Sequence, residues 1–142
     1  MHGSKRRIGV LVGEALASTI LASLAVPAHS QVPIPRTTGF ATARDGTRPY
    51  YEKSGSGPAL VFLHGIGGNH AIWFHQVPVF ATHFTVVTMS QRGFAPSSGR
   101  LDRYDVGLLV DDLLAVLDAC DVRRISIVGQ SMGGWCHPRI NP

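Results

Sequence analysis

Arg124-Ile125-Ser126-Ile127-Val128-Gly129-Gln130-Ser131-Met132-Gly133-Gly134 decides the fold of this chain. Arg124 to Val128 is short, β-branched and closed by a glycine, the pattern of a buried strand. The next five residues read G-x-S-x-G. A serine raised above a sheet needs a sharp turn from strand to helix, and glycines at 129 and 133 leave room for it. Gly134 adds room for the following helix to pack close. A serine hydroxyl is a weak nucleophile at neutral pH and needs an adjacent base. The same turn puts the backbone N–H of Met132 at a helix start, where it can face a developing oxyanion.

A second stretch has matching logic. Ala59-Leu60-Val61-Phe62-Leu63 is another buried-strand run, followed by His64-Gly65-Ile66-Gly67-Gly68. A strand ending in an HG loop can bring a second oxyanion N–H to such a serine, and the candidate donor is that of Ile66. His64 is read as a brace for the loop backbone, with Gly65 beside it, and not as the catalytic base.

From about Gly39 to Gly134 the chain resembles the N-terminal half of an α/β-hydrolase. Leu63-His64-Gly65-Ile66-Gly67-Gly68, Gln91-Arg92-Gly93-Phe94 and Val128 to Gly134 carry the likeness, in the family's order. The resemblance implies an α/β fold: a mostly parallel sheet, eight-stranded when complete, with helices on both faces. It also implies a Ser–His–acid triad in the chain order Ser, Asp/Glu, His, with Ser131 as nucleophile, and it implies no metal and no organic cofactor. A serine at 131 disfavours a haloalkane dehalogenase, which resembles this family but uses an aspartate there. The chain departs from the family pattern at Ser90, where an Asp is usual, and at Ala95, where a Gly is usual. After Gly134 the family continues with a long amphipathic helix, whereas this chain runs Trp135 to Pro142 with prolines at 138 and 142. The reading is therefore a fold truncated after the elbow: a partial domain over 39–134 and an aberrant tail over 135–142.

The first 30 residues have a separate logic. Lys5-Arg6-Arg7 precedes an apolar stretch from Ile8 to Val26, and Ala28-His29-Ser30 fits a small-x-small cleavage site. This predicts a signal peptide over 1–30, a linker over 31–38, export to a periplasmic or secreted location, and no stable membrane anchor. Three of the 13 Lys and Arg residues and one of the nine Asp and Glu residues precede Gln31, so the remainder carries only +2. That is too mild for a nucleic-acid partner. Cys120 and Cys136 give no disulfide framework and no metal-ligand spacing; an oxidising compartment would allow a bridge between them, but the favoured reading has Cys120 as a buried helix residue.

Along the chain, Phe40 to Arg44 and Arg48 to Lys53 read as strands joined by the turn signal Asp45-Gly46. Asn69 caps a helix running to about Thr82, kinked or ended by Pro78, with Trp73, Phe74 and Phe80 packed on the sheet. Phe84 to Met89 is the fourth strand. Asp105 caps a helix whose apolar stripe is Val106, Leu109, Val110, Leu113, Leu114 and Leu117. Asp111, Asp112 and Asp118 fall off that stripe and read as a solvated face.

No residue of this sequence takes the base role. His137 follows Ser131 by six positions, beside a proline, and local geometry does not aim it at the serine. The expected function is a serine hydrolase acting on carboxylic esters through an acyl-enzyme at Ser131, inactive as this fragment alone. The alternative is a non-catalytic remnant or a half-domain that requires a partner. The strand before Ser131 is expected to present an apolar sheet edge, open to self-association.

Overall fold

The computed structural model describes residues 34–100 and 105–136. The signal-peptide reading, His137 and the end of the 135–142 tail lie outside them. Five strands form one sheet: β1 (Arg36–Phe40), β2 (Tyr50–Ser54), β3 (Ala59–Leu63), β4 (Thr85–Ser90) and β5 (Ile125–Gly129), in the order β1-β2-β4-β3-β5. β1–β2 and β2–β4 are antiparallel, and β4–β3 and β3–β5 are parallel.

β3 shows why both faces are covered. Its side chains alternate. Val61 and Leu63 join Val87 and Met89 of β4 in a core with Leu109, Leu113, Val116 and Leu117 of helix α2 (Val106–Ala119). Leu60 and Phe62 point the other way, with Val86 and Ala81, and there Trp73 and Val77 close over them. Helices therefore stand on both faces, as the near-continuous apolar runs of β3 and β4 require.

Several local expectations shift. β1 occupies Arg36–Phe40 instead of 40–44, so it takes in residues 36–38 of the expected linker. The hairpin narrows through Ala41 N–H to Pro49 O and Ala43 N–H to Thr47 O, around the Asp45-Gly46 turn. Pro49 has no N–H, so the regular ladder resumes only at Tyr50. The helix after Asn69 is two pieces, a 3-10 turn His70–Trp73 and α1 (Gln76–Phe80). A continuous helix would need a Pro78 N–H for the Phe74 carbonyl; broken before Gln76, Pro78 sits in the first turn of α1, where no N–H is needed. Asn69 does cap, accepting from Ala71 N–H at 2.9 Å. Trp73 and Phe80 pack on Phe62, with ring centroids 4.9 and 5.7 Å away. Phe74 does not; it is exposed and stacks on His75.

The solvated face assigned to α2 is wrong for one residue. Asp112 is fully buried, whereas Leu114 of the expected stripe is exposed. Asp112 lies three residues after Leu109 and one turn before Val116, which places it on the core side. Arg92, itself buried, makes this possible: its Nε and Nη2 donate to the two Asp112 oxygens at 2.7 Å each, and its Nη1 donates to Asp45 at 2.8 Å. Burial pushes the Asp112 carboxyl up, and the paired bonds from the guanidinium pull it back; with both oxygens engaged, the pair is ionised. Burial alone would lower the Arg92 pKa, but the bonds from Asp112 and Asp45 raise it above its ordinary value. One guanidinium thus ties the β4 exit, α2 and the β1–β2 hairpin together.

Candidate active site

The parallel register brings three strand ends level: Leu63 pairs with Met89 on one side and with Gly129 on the other. The loops His64–Gly68, Gln91–Gly93 and Gln130–Gly134 leave the sheet together, at the carboxyl edge where open α/β sheets place ligands.

At the β5 exit Ser131 adopts φ +50°, left-handed backbone that a side chain rarely takes. A non-glycine residue held there stores strain and persists only because the surroundings fix it. Gln130 N–H donates to Leu63 O at 3.0 Å, and Gly133 N–H donates to Gln130 O at 2.9 Å. A β-carbon on Gly129 would meet backbone atoms of Gly133 and Gly134 at 2.6 Å, and one on Gly133 would run into the Leu63 carbonyl. Both glycines are therefore dictated by close approach. Ser131 itself is exposed, at the start of a 3-10 helix Ser131–Cys136, while Met132 beside it is buried in the core.

The HG loop abuts this turn. A β-carbon on Gly65 would stand 3.1 Å from Gln130 O and 3.2 Å from Ser131 Cβ. Among the turn and loop hydrogen bonds of the described residues, none uses the N–H of Ile66 or of Met132. Ile66 is 71% exposed and lines a cavity of about 530 Å³ with Gly67, Gly68, Ile72, Trp73 and Gln130.

His64 is fully buried. Its Nε2 accepts from Gln91 N–H at 2.9 Å, so the ring proton is on Nδ1, which donates to Gly65 O at 2.8 Å. Phe94 stands edge-on to the ring at 4.9 Å. Burial lowers the His64 pKa, with the Gly65 bond opposing it in part. Both nitrogens are spent, so the imidazole has no lone pair to offer a serine.

Sequence reasoning missed a second polar cluster. His70 Nδ1 lies 2.9 Å from Ser90 Oγ, and its Nε2 lies 3.4 Å from Glu52 Oε1, which also accepts from Tyr50 OH at 3.0 Å. A proton on Nε2 faces the Glu52 carboxylate, which leaves Nδ1 to accept from the Ser90 hydroxyl; the Ala95 carbonyl lies 3.1 Å from the same Oγ. Burial lowers the His70 pKa, and Glu52 opposes that. Ser90 is fully buried, so this Ser–His–Glu chain holds the β4 exit loop in place. Ser90 and Ala95, the two departures from the family pattern, meet there, Oγ against carbonyl oxygen. Cys120 and Cys136 are buried free thiols that burial pushes up to about 11, so neither is a thiolate at neutral pH.

This frame coincides with a known one. A family model described as "alpha/beta hydrolase fold" matches residues 58–136, from the loop before β3 to the end of the 3-10 helix. The chain belongs to the α/β-hydrolase family. An uncharacterized protein of Mycobacterium tuberculosis (strain ATCC 25618 / H37Rv) is 34% identical over 100 residues, covering 70% of this chain and 29% of that protein. Epoxide hydrolase 3 of Mus musculus is 39% identical over 92 residues, covering 62% of this chain and 25% of that one. The solved structure of Est816, an N-acyl homoserine lactone degrading enzyme, superposes with a TM-score of 0.68 at 35% identity, covering 72% of this chain and 39% of Est816. This α/β-hydrolase chain thus spans less than half the length of each of these relatives. The matched part contains the elbow, the HG loop and the strand order that brings them together.

Proposed function

We propose that this chain carries the nucleophile half of a serine hydrolase that acts on carboxylic esters. Ser131 attacks the carbonyl carbon, the N–H groups of Ile66 and Met132 hold the oxyanion, and an acyl-enzyme forms and is hydrolysed by water. The observation that carries this reading is Ser131 at φ +50° against Gly65 of the HG loop.

The choice of ester over epoxide follows from the nucleophile. A serine oxygen that opened an epoxide would leave an ether, and water has no carbonyl to attack in an ether. A serine oxygen that attacks an ester leaves an acyl group, which water removes. The lactone named for Est816 is a cyclic ester. The resemblance to a mouse epoxide hydrolase therefore does not carry that substrate to this chain.

The base and acid come from outside the described residues. His64 and His70 are engaged elsewhere. Without a base, acceleration rests on the oxyanion pocket and binding alone, about 10³–10⁴-fold over water, and the fragment does not turn over efficiently. Incubation with a fluorophosphonate probe tests the assignment. Slow covalent labelling confined to Ser131, and abolished in Ser131→Ala, supports it; labelling at other residues alone, or none, removes it.

A second reading has its own observation. Among the described residues β5 is the last strand of the order, with its own Val128 40% exposed and Trp135 just after it 54% exposed. Leu114, Leu117, Val122 and Ile125 line a cavity of about 400 Å³ there, together with the charged Asp118, Arg123 and Arg124. An open strand edge with exposed apolar side chains calls for cover, which favours a half-domain that needs a second polypeptide, or a second copy, before it acts. Size-exclusion chromatography with light scattering tests this: a stable monomer at micromolar concentration counts against it.

A further inference from the structure

We infer that Gln91 is a positioning residue for the oxyanion pocket, acting through His64 on the N–H of Ile66. The inference rests on the reading of Ile66 as an oxyanion donor.

The argument begins with the peptide plane. The carbonyl of Gly65 and the N–H of Ile66 belong to one planar trans unit and point in opposite directions. Whatever fixes the Gly65 carbonyl therefore aims the Ile66 N–H. That carbonyl accepts from His64 Nδ1 at 2.8 Å and from Gly68 N–H at 3.2 Å, both within the loop. Held inward by two donors, it leaves the Ile66 N–H facing away from them.

The neutral His64 ring can donate from Nδ1 only while its Nε2 carries no proton. Gln91 enforces this, because its backbone N–H donates to Nε2 at 2.9 Å. The Gln91 side chain acts one plane earlier, with Nε2 donating to the His64 carbonyl at 2.5 Å. Two successive peptide planes of the HG loop are thus set from the β4 exit, by one residue that is itself buried.

The remaining atom of the same amide argues against a role in stability alone. Gln91 Oε1 is buried and has no hydrogen-bond partner. A buried acceptor left unmade is unfavourable, and an apolar side chain of similar volume would avoid it. What that side chain would lack is the donor to the His64 carbonyl.

The test uses Gln91→Met in the full chain, which keeps volume and removes the donor, with Gln91→Leu as a second variant. Amide hydrogen exchange reads the loop directly. Gly68, whose N–H is bonded to the Gly65 carbonyl, is expected to exchange about tenfold faster in both variants, with β3 and β4 amides unchanged. Fluorophosphonate labelling of Ser131 is expected to slow in its maximal rate by a similar factor, with the probe's half-saturation unchanged. Gly68 exchange in Gln91→Met equal to that of the parent chain overturns the inference. If the parent chain is not labelled at all, the nucleophile reading fails, and the exchange result still decides for or against the clamp. If exchange rises throughout the sheet in Gln91→Met, Gln91 is a packing residue and the inference is likewise overturned.

Discussion

Gly65 and Ser131 touch across two strand ends: a β-carbon added to Gly65 would lie 3.2 Å from Ser131 Cβ and 3.1 Å from Gln130 O. The two residues are far apart in sequence and come together because Leu63 and Gly129 are parallel partners in the sheet. The Leu63 carbonyl takes the Gln130 N–H and also blocks any side chain at 133. Strand register, turn strain and the HG loop are one mechanical unit.

Gly65→Ala tests that unit. The added methyl fits only if the loop and the elbow part by a few tenths of an ångström. The expected stability cost is about 1 kcal/mol, at the low end for overpacking. Labelling of Ser131 is expected to fall by about tenfold or more, because small misplacements at a reacting centre are costly. Urea denaturation and the labelling rate, measured on one preparation, check both.

Strain at Ser131 makes a separate prediction. Its φ of +50° suits glycine better than any residue with a β-carbon. Ser131→Gly is expected to be more stable than Ser131→Ala by about 1 kcal/mol, the scale of the left-handed penalty. Neither variant should be labelled. Equal urea midpoints for the two would mean that the turn relaxes and stores nothing.

Much of this frame is legible in the sequence, because it is written locally. The β-branched run Ile125–Val128 specifies a strand, Asn69 and Asp105 specify caps, and glycines at 129 and 133 specify a tight turn. Other features depend on partners distant in sequence. Asp112 reads as solvated until Arg92 is seen to reach it from 20 residues away. The chain from Ser90 through His70 to Glu52 joins three elements, and no local period marks any of them. Gln91 is marked in the sequence only as part of the Gln91–Phe94 stretch; its role lies in which carbonyl it meets. Strand limits moved for a similar reason, since Pro49 decides where the hairpin ladder resumes.

The Arg92 network predicts a large stability effect. Asp112→Asn removes the charge that faces a buried guanidinium and leaves it with Asp45 alone. Breaking one side of a buried pair costs about 3–5 kcal/mol, a large part of the stability of a small domain. The variant is expected to lose its cooperative unfolding transition by circular dichroism. A melting curve like that of the parent chain would show that the pair contributes little.

Acid should destabilise the fold in two stages. Burial lowers the pKa of His64 and His70 in the folded chain below the ordinary 6.5. The unfolded chain then binds protons more readily than the folded one, so stability is full above about 6.5 and declines as pH falls through it. Asp45 is depressed, by its hydrogen bond from Arg92 first and by Thr47 second. Its contribution is present above the unfolded carboxylate value of about 3.9 and is lost below it. Urea midpoints from pH 8 to pH 3 should show both declines. His64→Gln should flatten the first.

The central claim is that Ser131 is a nucleophile facing two backbone amides, and a crystal structure of the phosphonylated chain tests it most directly. The account predicts phosphorus bonded to Ser131 Oγ and the phosphoryl oxygen about 2.7–3.1 Å from the N–H groups of both Ile66 and Met132. A phosphoryl oxygen turned to solvent, or an adduct on any other side chain, would contradict it.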